Sequence, residues 1–570
     1  FLNYIKKTII LILMGIPSYF SYIIKNYSNI LMKYKKNFKV GSLFLDSNSI
    51  IYDSMREIEY KDNNDFERKL INAVCKKIED YIQQISPSHL VYVAFDGVAP
   101  VAKLNQQKNR RYKSWFINQY EETDKKSWDS TAITPGTEFM NKLNLQIKHH
   151  FRKKNPSSNS FSSSNSFSSS NSFSSSNSFS SSNTFSSSSN IQNIIISGSD
   201  EPGEGEHKIF EYIRENSENI NKTKTVIYGL DADLIMLTIN HLQYCNNMYL
   251  FRETPAFIKS IDESLDPNFL YVIDIPQFKN QMIFYLNNDL APESDIERDR
   301  IFDYILLCFL LGNDFLPHFP ALNIRTNGMD ILLETYRNVI GKFKKNVTKN
   351  GNIIWKNLRL LIQELGNNEE MYITQEYKLR NRLEKRKNNM DENASKFDKE
   401  MLYAPGKERE MEKYINPFDD YWETRYYDML LDIDYRNKEE IKKICLNYLE
   451  GLEWTYKYYS SGCVDWRWCY KYPYPPLLKD LIKYIPYFDT ELLDIKEKNP
   501  VTEMVQLSYV LPRNSLYLLP KKIENKLLNS HNELYQTNYE FKWAFCKYFW
   551  ECHVEFPYID VKSIEETVVS

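Results

Sequence analysis

Apolar positions along this chain fall into two spacings. Short apolar runs closed by an acid or a glycine predict buried strands: 39–46, ending in Leu43-Phe-Leu-Asp46; Leu90 to Phe95; Val226 to Tyr228; Met248 to Phe251; and Tyr271 to Ile275. Longer stretches with helical spacing cover Ser18 to Tyr34, Asn64 to Gln84, a helix begun by Thr134-Pro-Gly-Thr, and Ile301 to Leu311, which stops at Gly312. Strands that alternate with helices predict an α/β fold, a mainly parallel sheet flanked by helices. Two successive strands end in acids, Asp46 and Asp96. Such a sheet gathers carboxylates at its C-terminal edge, where open α/β sheets bind ligands.

The stretch from Asp200 to Leu237 adds four more acids. Glu204 and Glu206 lie on a Gly-Glu-Gly-Glu turn that opens a helix near His207. Asp231 and Asp233 follow the Val226–Tyr228 strand; if the chain stays extended there, residues two apart point the same way. Asp314, just past Gly312, is a seventh. Either pair alone reads as a helix-dipole complement or a surface turn. Both pairs, each at a strand–helix junction, would repel strongly unless a hard divalent cation held them.

Residues 103–113 contain five basic residues and no acid. In a helix, Lys103, Gln107, Arg110 and Arg111 fall at i, i+4, i+7 and i+8, one stripe that is normally apolar. Two Arg, a Lys and a Gln in that stripe, close after Asp96, suit a phosphate rather than a solvated face.

Over 570 residues, 42% hydrophobic and 26% charged, the composition is that of a large soluble protein of two or more domains. A net charge of −3 excludes a uniformly basic nucleic-acid binder, so any such binding needs local patches. The eight cysteines form no C-x-x-C pair and no zinc spacing, as expected of a reduced intracellular protein. Residues 1–13 read as a leader, short and apolar after Lys6 and Lys7, with Met14 as the expected functional start. The expected catalytic α/β region covers 14–345, interrupted by a Ser/Asn tract at 156–190 with a Phe every six residues from Phe161 to Phe185, too polar to fold. Residues 346–425 are highly charged and read as solvated helix and linker. A second, helical and aromatic-rich region, 426–570, includes Gly462-Cys-Val-Asp-Trp-Arg-Trp-Cys-Tyr-Lys-Tyr-Pro-Tyr, which either caps a core or stacks on bases.

These residues carry a resemblance. Asp46-Ser-Asn-Ser-Ile, Phe95-Asp-Gly-Val-Ala-Pro, Asn105-Gln-Gln-Lys-Asn-Arg-Arg, Pro202-Gly-Glu-Gly-Glu-His-Lys, Tyr228-Gly-Leu-Asp-Ala-Asp-Leu-Ile-Met-Leu and Gly312-Asn-Asp-Phe-Leu-Pro-His resemble, in order, the motifs of the 5′→3′ exoribonuclease (XRN) family. The resemblance covers nearly everything from Met14 to Asp560. It implies a sheet shared with flap endonucleases and PIN-type nucleases, with the second region packed on it and restricting access to single strands. It implies that Asp46, Asp96, Glu204, Glu206, Asp231, Asp233 and Asp314 are catalytic and bind metal, Mg²⁺ or alternatively Mn²⁺. Two ions roughly 4 Å apart would activate a water and stabilise the leaving 3′-oxygen. Lys103, Gln107, Arg110 and Arg111 would grip the 5′-monophosphate of single-stranded RNA, which the family degrades processively to mononucleotides. A triphosphate or cap would not fit such a pocket.

The chain departs from the pattern at Tyr52, where family members typically carry a His that stacks on the first base against a Trp; the partner here is either Trp466 or Trp468. The Ser197-Gly-Ser-Asp-Glu-Pro-Gly approach is more similar to the cytoplasmic branch, so a cytoplasmic monomer acting in mRNA decay is expected, with nuclear placement as the alternative. Decapping or decay factors are the partner class this implies, without a membrane. Two rivals are a flap-type DNA nuclease and a catalytically inactive RNA-binding scaffold.

Overall fold

The computed structural model describes residues 19–35, 37–119, 128–152, 193–252, 265–266, 268–385, 404–558 and 560–570. The expected leader, Met14 and the Ser/Asn tract lie outside these.

Seven strands form the main sheet: β1 (Leu31–Lys33), β2 (Ser42–Asp46), β3 (Leu90–Ala94), β4 (Asn193–Ser197), β5 (Thr225–Tyr228), β6 (Met248–Arg252) and β7 (Tyr271–Asp274), in the order β1-β7-β6-β5-β2-β3-β4. The five strands from β6 to β4 are parallel, and β7 and β1 close one edge antiparallel. The chain steps outward from β2 to β3 and β4, then returns to the other side of β2 as β5. That reversal is a topological switch point, and the crevice above it opens at the C-terminal ends of β2, β3 and β5.

Side-chain alternation on the strands divides the core. Phe44, Tyr92, Ala94 and Ile227 face one apolar layer. Leu43, Leu45, Val91, Val93, Val226 and Tyr228 face the other. The second layer is closed largely by helix α3 (Asn63–Ile85), whose Leu70, Val74 and Ile78 are buried at helical spacing. The first layer does not end with the nuclease-like half. It runs on through α8 (Arg300–Phe309) into α11 (Lys438–Ser461) and to Ile485, so the two regions share one apolar cluster.

Helices around the sheet are α1 (Tyr19–Asn26), α2 (Asn48–Arg56), α4 (Val101–Asn118), α5 (Glu138–Arg152), α6 (Gly205–Glu215) and α7 (Asp233–His241). Further on lie α9 (Trp355–Asn367), α10 (Glu369–Lys385) and α12 (Glu503–Val510). Two expectations need correction. The helix expected over Ser18–Tyr34 ends at Asn26, and Leu31–Lys33 pairs antiparallel with Tyr271–Ile273 as the edge strand. The charged stretch 346–425 is not simply solvated linker. Trp355, Leu358, Leu361, Ile362 and Leu365 of α9 are buried in the shared cluster. Its charges pair internally: Arg380 and Arg409 both bind the Glu412 carboxylate at 2.6 Å, all three side chains buried. The same carboxylate accepts the Phe545 backbone N–H, and Arg380 donates to the Cys546 carbonyl, so this ion triad ties α10 to the C-terminal segment.

All eight cysteines are free. Among the described residues no helix is long and apolar enough to cross a membrane.

Removing one partner of a buried ion group leaves uncompensated charge, which costs about 3–5 kcal/mol. Glu412→Ala is therefore expected to lower the unfolding free energy by that amount in urea titrations. A loss below about 1 kcal/mol would mean that water screens the triad.

Candidate active site

The C-terminal edge of the sheet brings the seven predicted acids together. Asp46 is the last residue of β2, and Asp96 lies two residues beyond β3. Glu204 is the N-cap of α6 and Glu206 lies in its first turn. Asp231 sits in the loop after β5, and Asp233 opens α7. Asp314 follows the turn after α8, where Gly312 takes φ +87, a left-handed conformation that suits glycine. Asp231 and Asp233 do not project from an extended chain as expected. Ala232 is already helical, and the Asp233 N–H donates to Asp231 Oδ1 at 3.4 Å. Both acids still face the cluster, Asp231 from the loop before α7 and Asp233 from its first turn.

Local contacts hold the carboxylates close. A Cβ on Gly205 would lie 2.8 Å from Asp46 Oδ1 and 3.3 Å from Asp96 Oδ1, so any other residue here would push these carboxylates aside. The bare Gly205 N–H instead donates to Asp96 Oδ1 at 2.7 Å. Asn48, at the head of α2, accepts from the Asp96 N–H at 3.0 Å and donates to its Oδ2. From the second region, the Tyr458 hydroxyl of α11 donates to Glu204 Oε1 at 2.8 Å, and the Tyr459 hydroxyl hydrogen-bonds Asp233. The cation that enters the cluster is Lys103, whose ammonium lies 2.5 Å from Glu204 Oε2 and 2.6 Å from Asp314 Oδ2. Gln106 adds a bond to Asp314 Oδ1 at 3.1 Å.

Burial and mutual repulsion push five of these carboxyls, Asp46, Glu204, Glu206, Asp231 and Asp233, upward. Burial first, and then Asp96 and Asp231, hold Asp46 well above the ordinary carboxylate range. Burial and Asp231 do the same to Glu206, and burial with Asp231 and Asp314 to Asp233. Asp231 is pushed up to about 7 by burial and then by Asp314, against the opposing pull of Lys103. One ammonium falls well short of seven carboxylates, and raised proton affinity is what such an excess produces. The donor set is all hard oxygen, apart from His207, whose ring nitrogen groups with Glu204 and Glu206 within 4.8 Å. This chemistry fits a hard divalent cation.

His207, Tyr458 and Tyr459 were not singled out from sequence. His207 stacks on Tyr458 with ring centroids 3.7 Å apart, and its Nε2 has no hydrogen-bond partner. Burial keeps its imidazole neutral, with a pKa well below 6.5. Its place in Gly-Glu-Gly-Glu-His was the available signal. The two tyrosines carried none, because in sequence they look like any apolar helix.

Helix α4 places the basic stripe along the cluster. Lys103, Gln107 and Arg111, one turn apart, are buried on its inner side. Gln107 Oε1 and Arg111 Nε are buried without hydrogen-bond partners. Burial lowers the Arg111 guanidinium to about 10, with Tyr52 and Asp129 opposing. Arg110 turns towards a cavity of about 1080 Å³, which Gln106, Asp314, Trp468 and Tyr509 also line. Of the candidate stacking residues, Trp468 is buried, stacked on Trp454 at 5.1 Å, and lines the cavity. Trp466 is half-buried, and its carbonyl accepts the Val101 N–H at the head of α4. Tyr52 lies on α2 and neighbours Arg111.

Against this geometry stand the comparisons with known proteins. The model of the XRN 5′–3′ exonuclease N-terminus matches residues 14–254, which hold six of the seven acids and all of α4. The model of the Xrn1 helical domain matches 293–416 and 399–570, which hold Asp314 and α11. The chain is 25% identical over 679 aligned residues to 5′–3′ exoribonuclease 1 of Schizosaccharomyces pombe, with 98% of this chain and 48% of that protein covered. It is 26% identical over 622 residues to the human protein of the same name, covering 97% of this chain and 34% of that one. The Saccharomyces cerevisiae counterpart is 26% identical, with 89% and 40% covered. The chain thus spans half or less of the length of these relatives. Two family models in tandem, meeting at the cleft that gathers the acids, establish that this chain belongs to the XRN 5′–3′ exonuclease family.

Proposed function

We propose that this chain is a metal-dependent 5′→3′ exoribonuclease that takes single-stranded RNA by its 5′-monophosphate and releases mononucleotides processively in cytoplasmic mRNA decay. The observation that carries this reading is the excess of buried carboxylate in a cleft whose other wall is a helix with unpartnered polar atoms. Asp46, Asp96, Glu204, Glu206, Asp231, Asp233 and Asp314 are the residues that would hold Mg²⁺ or Mn²⁺. Such ions supply an activated water and charge compensation for the leaving 3′-oxygen.

The remaining work falls to this chain's own side chains. Arg110 and Arg111 offer guanidinium donors suited to phosphate oxygens, and Gln107 orients the terminal phosphate beside them. Lys103, Gln107 and Arg111 are walled in by protein, which suits a compact terminal phosphate better than a triphosphate or cap. Burial of the acids excludes water that would otherwise weaken every charge interaction in the cleft. Trp468, backed by Trp454, gives the cavity a rigid aromatic wall on which a base can stack, and Tyr52 offers a second ring near Arg111. Stacking tolerates any base, as a processive enzyme requires.

Asp231→Ala or Asp233→Ala is expected to bring degradation of 5′-phosphorylated RNA to the level of an EDTA control, while RNA binding in EDTA persists. Hydrolysis by either variant would remove these acids from the metal set. Arg110→Ala is expected to lower the preference for 5′-phosphate over 5′-hydroxyl RNA by about 10- to 100-fold, the scale of one charged hydrogen bond. An unchanged ratio would exclude Arg110 from the phosphate site. A carboxyl raised in the folded state contributes stability below its unfolded pKa and loses it as pH rises through the folded value. For Asp231 that window runs from about 4 to about 7. Metal-free Asp231→Asn protein should therefore gain thermal stability over wild type at pH 8 but not at pH 4, by calorimetry. Equal shifts at both would contradict the burial of Asp231.

A further inference from the structure

Lys103 stands where two roles collide. Its ammonium bridges Glu204 and Asp314, acids delivered by different elements, the N-cap of α6 and the turn after α8. Burial disfavours that ammonium, but Asp314, Glu204, Glu206 and Asp231 together outweigh it and keep it charged. Two of its three donors are thus committed to carboxylate oxygens that a hard cation would also take. Held there, Lys103 keeps at most one donor for a phosphate and its charge is spent on the two acids, and a dication cannot fully occupy Glu204 and Asp314 beside it.

We propose that Lys103 is the internal counter-ion of the metal-free site, and that a divalent cation displaces it towards Gln107, where it becomes available to the RNA 5′-phosphate. This deepens the function proposed above and rests on it. The displaced ammonium has a place to go. Gln107 Oε1, one turn further along the same face of α4, is a buried acceptor with no donor, and Arg111 Nε, a turn beyond, is a buried donor with no acceptor. An ammonium and a phosphate arriving together satisfy both. Asp314 does not lose its orientation when Lys103 leaves, because Gln106 still donates to its other oxygen. Metal loading and phosphate capture are therefore linked, and the linkage is reciprocal: bound phosphate tightens the metal by the same factor.

The test is equilibrium binding with the whole protein. A labelled RNA decamer, blocked at its first linkages by phosphorothioate, is prepared with a 5′-phosphate or a 5′-hydroxyl. Anisotropy then gives the ratio of the two affinities in EDTA and in Mg²⁺. Wild type should show in EDTA the lower ratio that Arg110 and Arg111 give without Lys103, rising about 5- to 150-fold in Mg²⁺, the usual range of coupling between sites. Lys103→Gln should show a ratio independent of Mg²⁺, and should bind Mg²⁺ more tightly in calorimetry without RNA, because its competitor is gone. The wild-type arms need no variant, so a misfolded Lys103→Gln leaves the proposal testable. A wild-type preference for phosphate equally strong in EDTA would overturn the coupling while keeping the phosphate site. Weaker Mg²⁺ binding by folded Lys103→Gln would also overturn it. No preference under either condition would remove the phosphate-site reading itself, and the coupling with it.

Discussion

Seven carboxylates in one water-poor cleft would drive themselves apart, and much of the surrounding structure consists of the means to prevent that. Parallel pairing of β2 with β3 and β5 fixes where Asp46, Asp96 and the Asp231 loop emerge. A glycine at position 205 removes the atom that would wedge between Asp46 and Asp96, and its N–H offers one of them a donor. Asn48, Tyr458 and the ammonium of Lys103 each supply a further donor. None of these neutralises the cluster. They restrain its geometry while leaving its excess of negative charge, which suits the cleft to a cation.

That restraint reaches across the whole molecule. The apolar layer under the sheet continues into α8 and α11, so the helix bearing Tyr458 and Tyr459 is anchored in the same core as the strands bearing the acids. Rigid anchoring on both sides matters because side chains offered by packed elements hold their positions more closely than those on loops. The Arg380–Glu412–Arg409 group extends the anchoring outward by fastening α10 to the segment near Phe545.

What could be read from sequence alone follows the range of the interaction. Leu43, Phe44 and Leu45 alternate as a strand covered on both faces must, and β2, β3 and β5 were legible from such runs. The acids were legible because each sits at a junction that local chemistry marks, an acid after a strand or a glycine turn before a helix. Three things were not legible. Leu31–Lys33 continues an apolar pattern that reads as helix, and only pairing with β7, some 240 residues away, makes it a strand. Ala232 is already helical as the N-cap of the next helix, with the Asp233 N–H turned back onto Asp231, which an extended reading of Asp-Ala-Asp missed. The charges around Arg380 and Glu412 look like solvent-facing residues until the fold places them against each other in the interior. Tyr458 and Tyr459 are the same case on the polar side: nothing local distinguishes a core tyrosine from one whose hydroxyl meets a carboxylate.

The reach of α11 into the cleft has a consequence for how the molecule comes into being. On a ribosome the chain emerges from its N-terminus, and β1 to β5 and six of the acids are made by residue 233. Asp314 follows, and the tyrosines that hold Glu204 and Asp233 appear only at 458 and 459. Until then the apolar layer beneath the sheet lacks its partner helix and the acids lack two of their hydroxyl donors. The cleft is therefore completed only once residue 459 has been made, so a chain not yet translated that far carries the acids without the frame that arranges them.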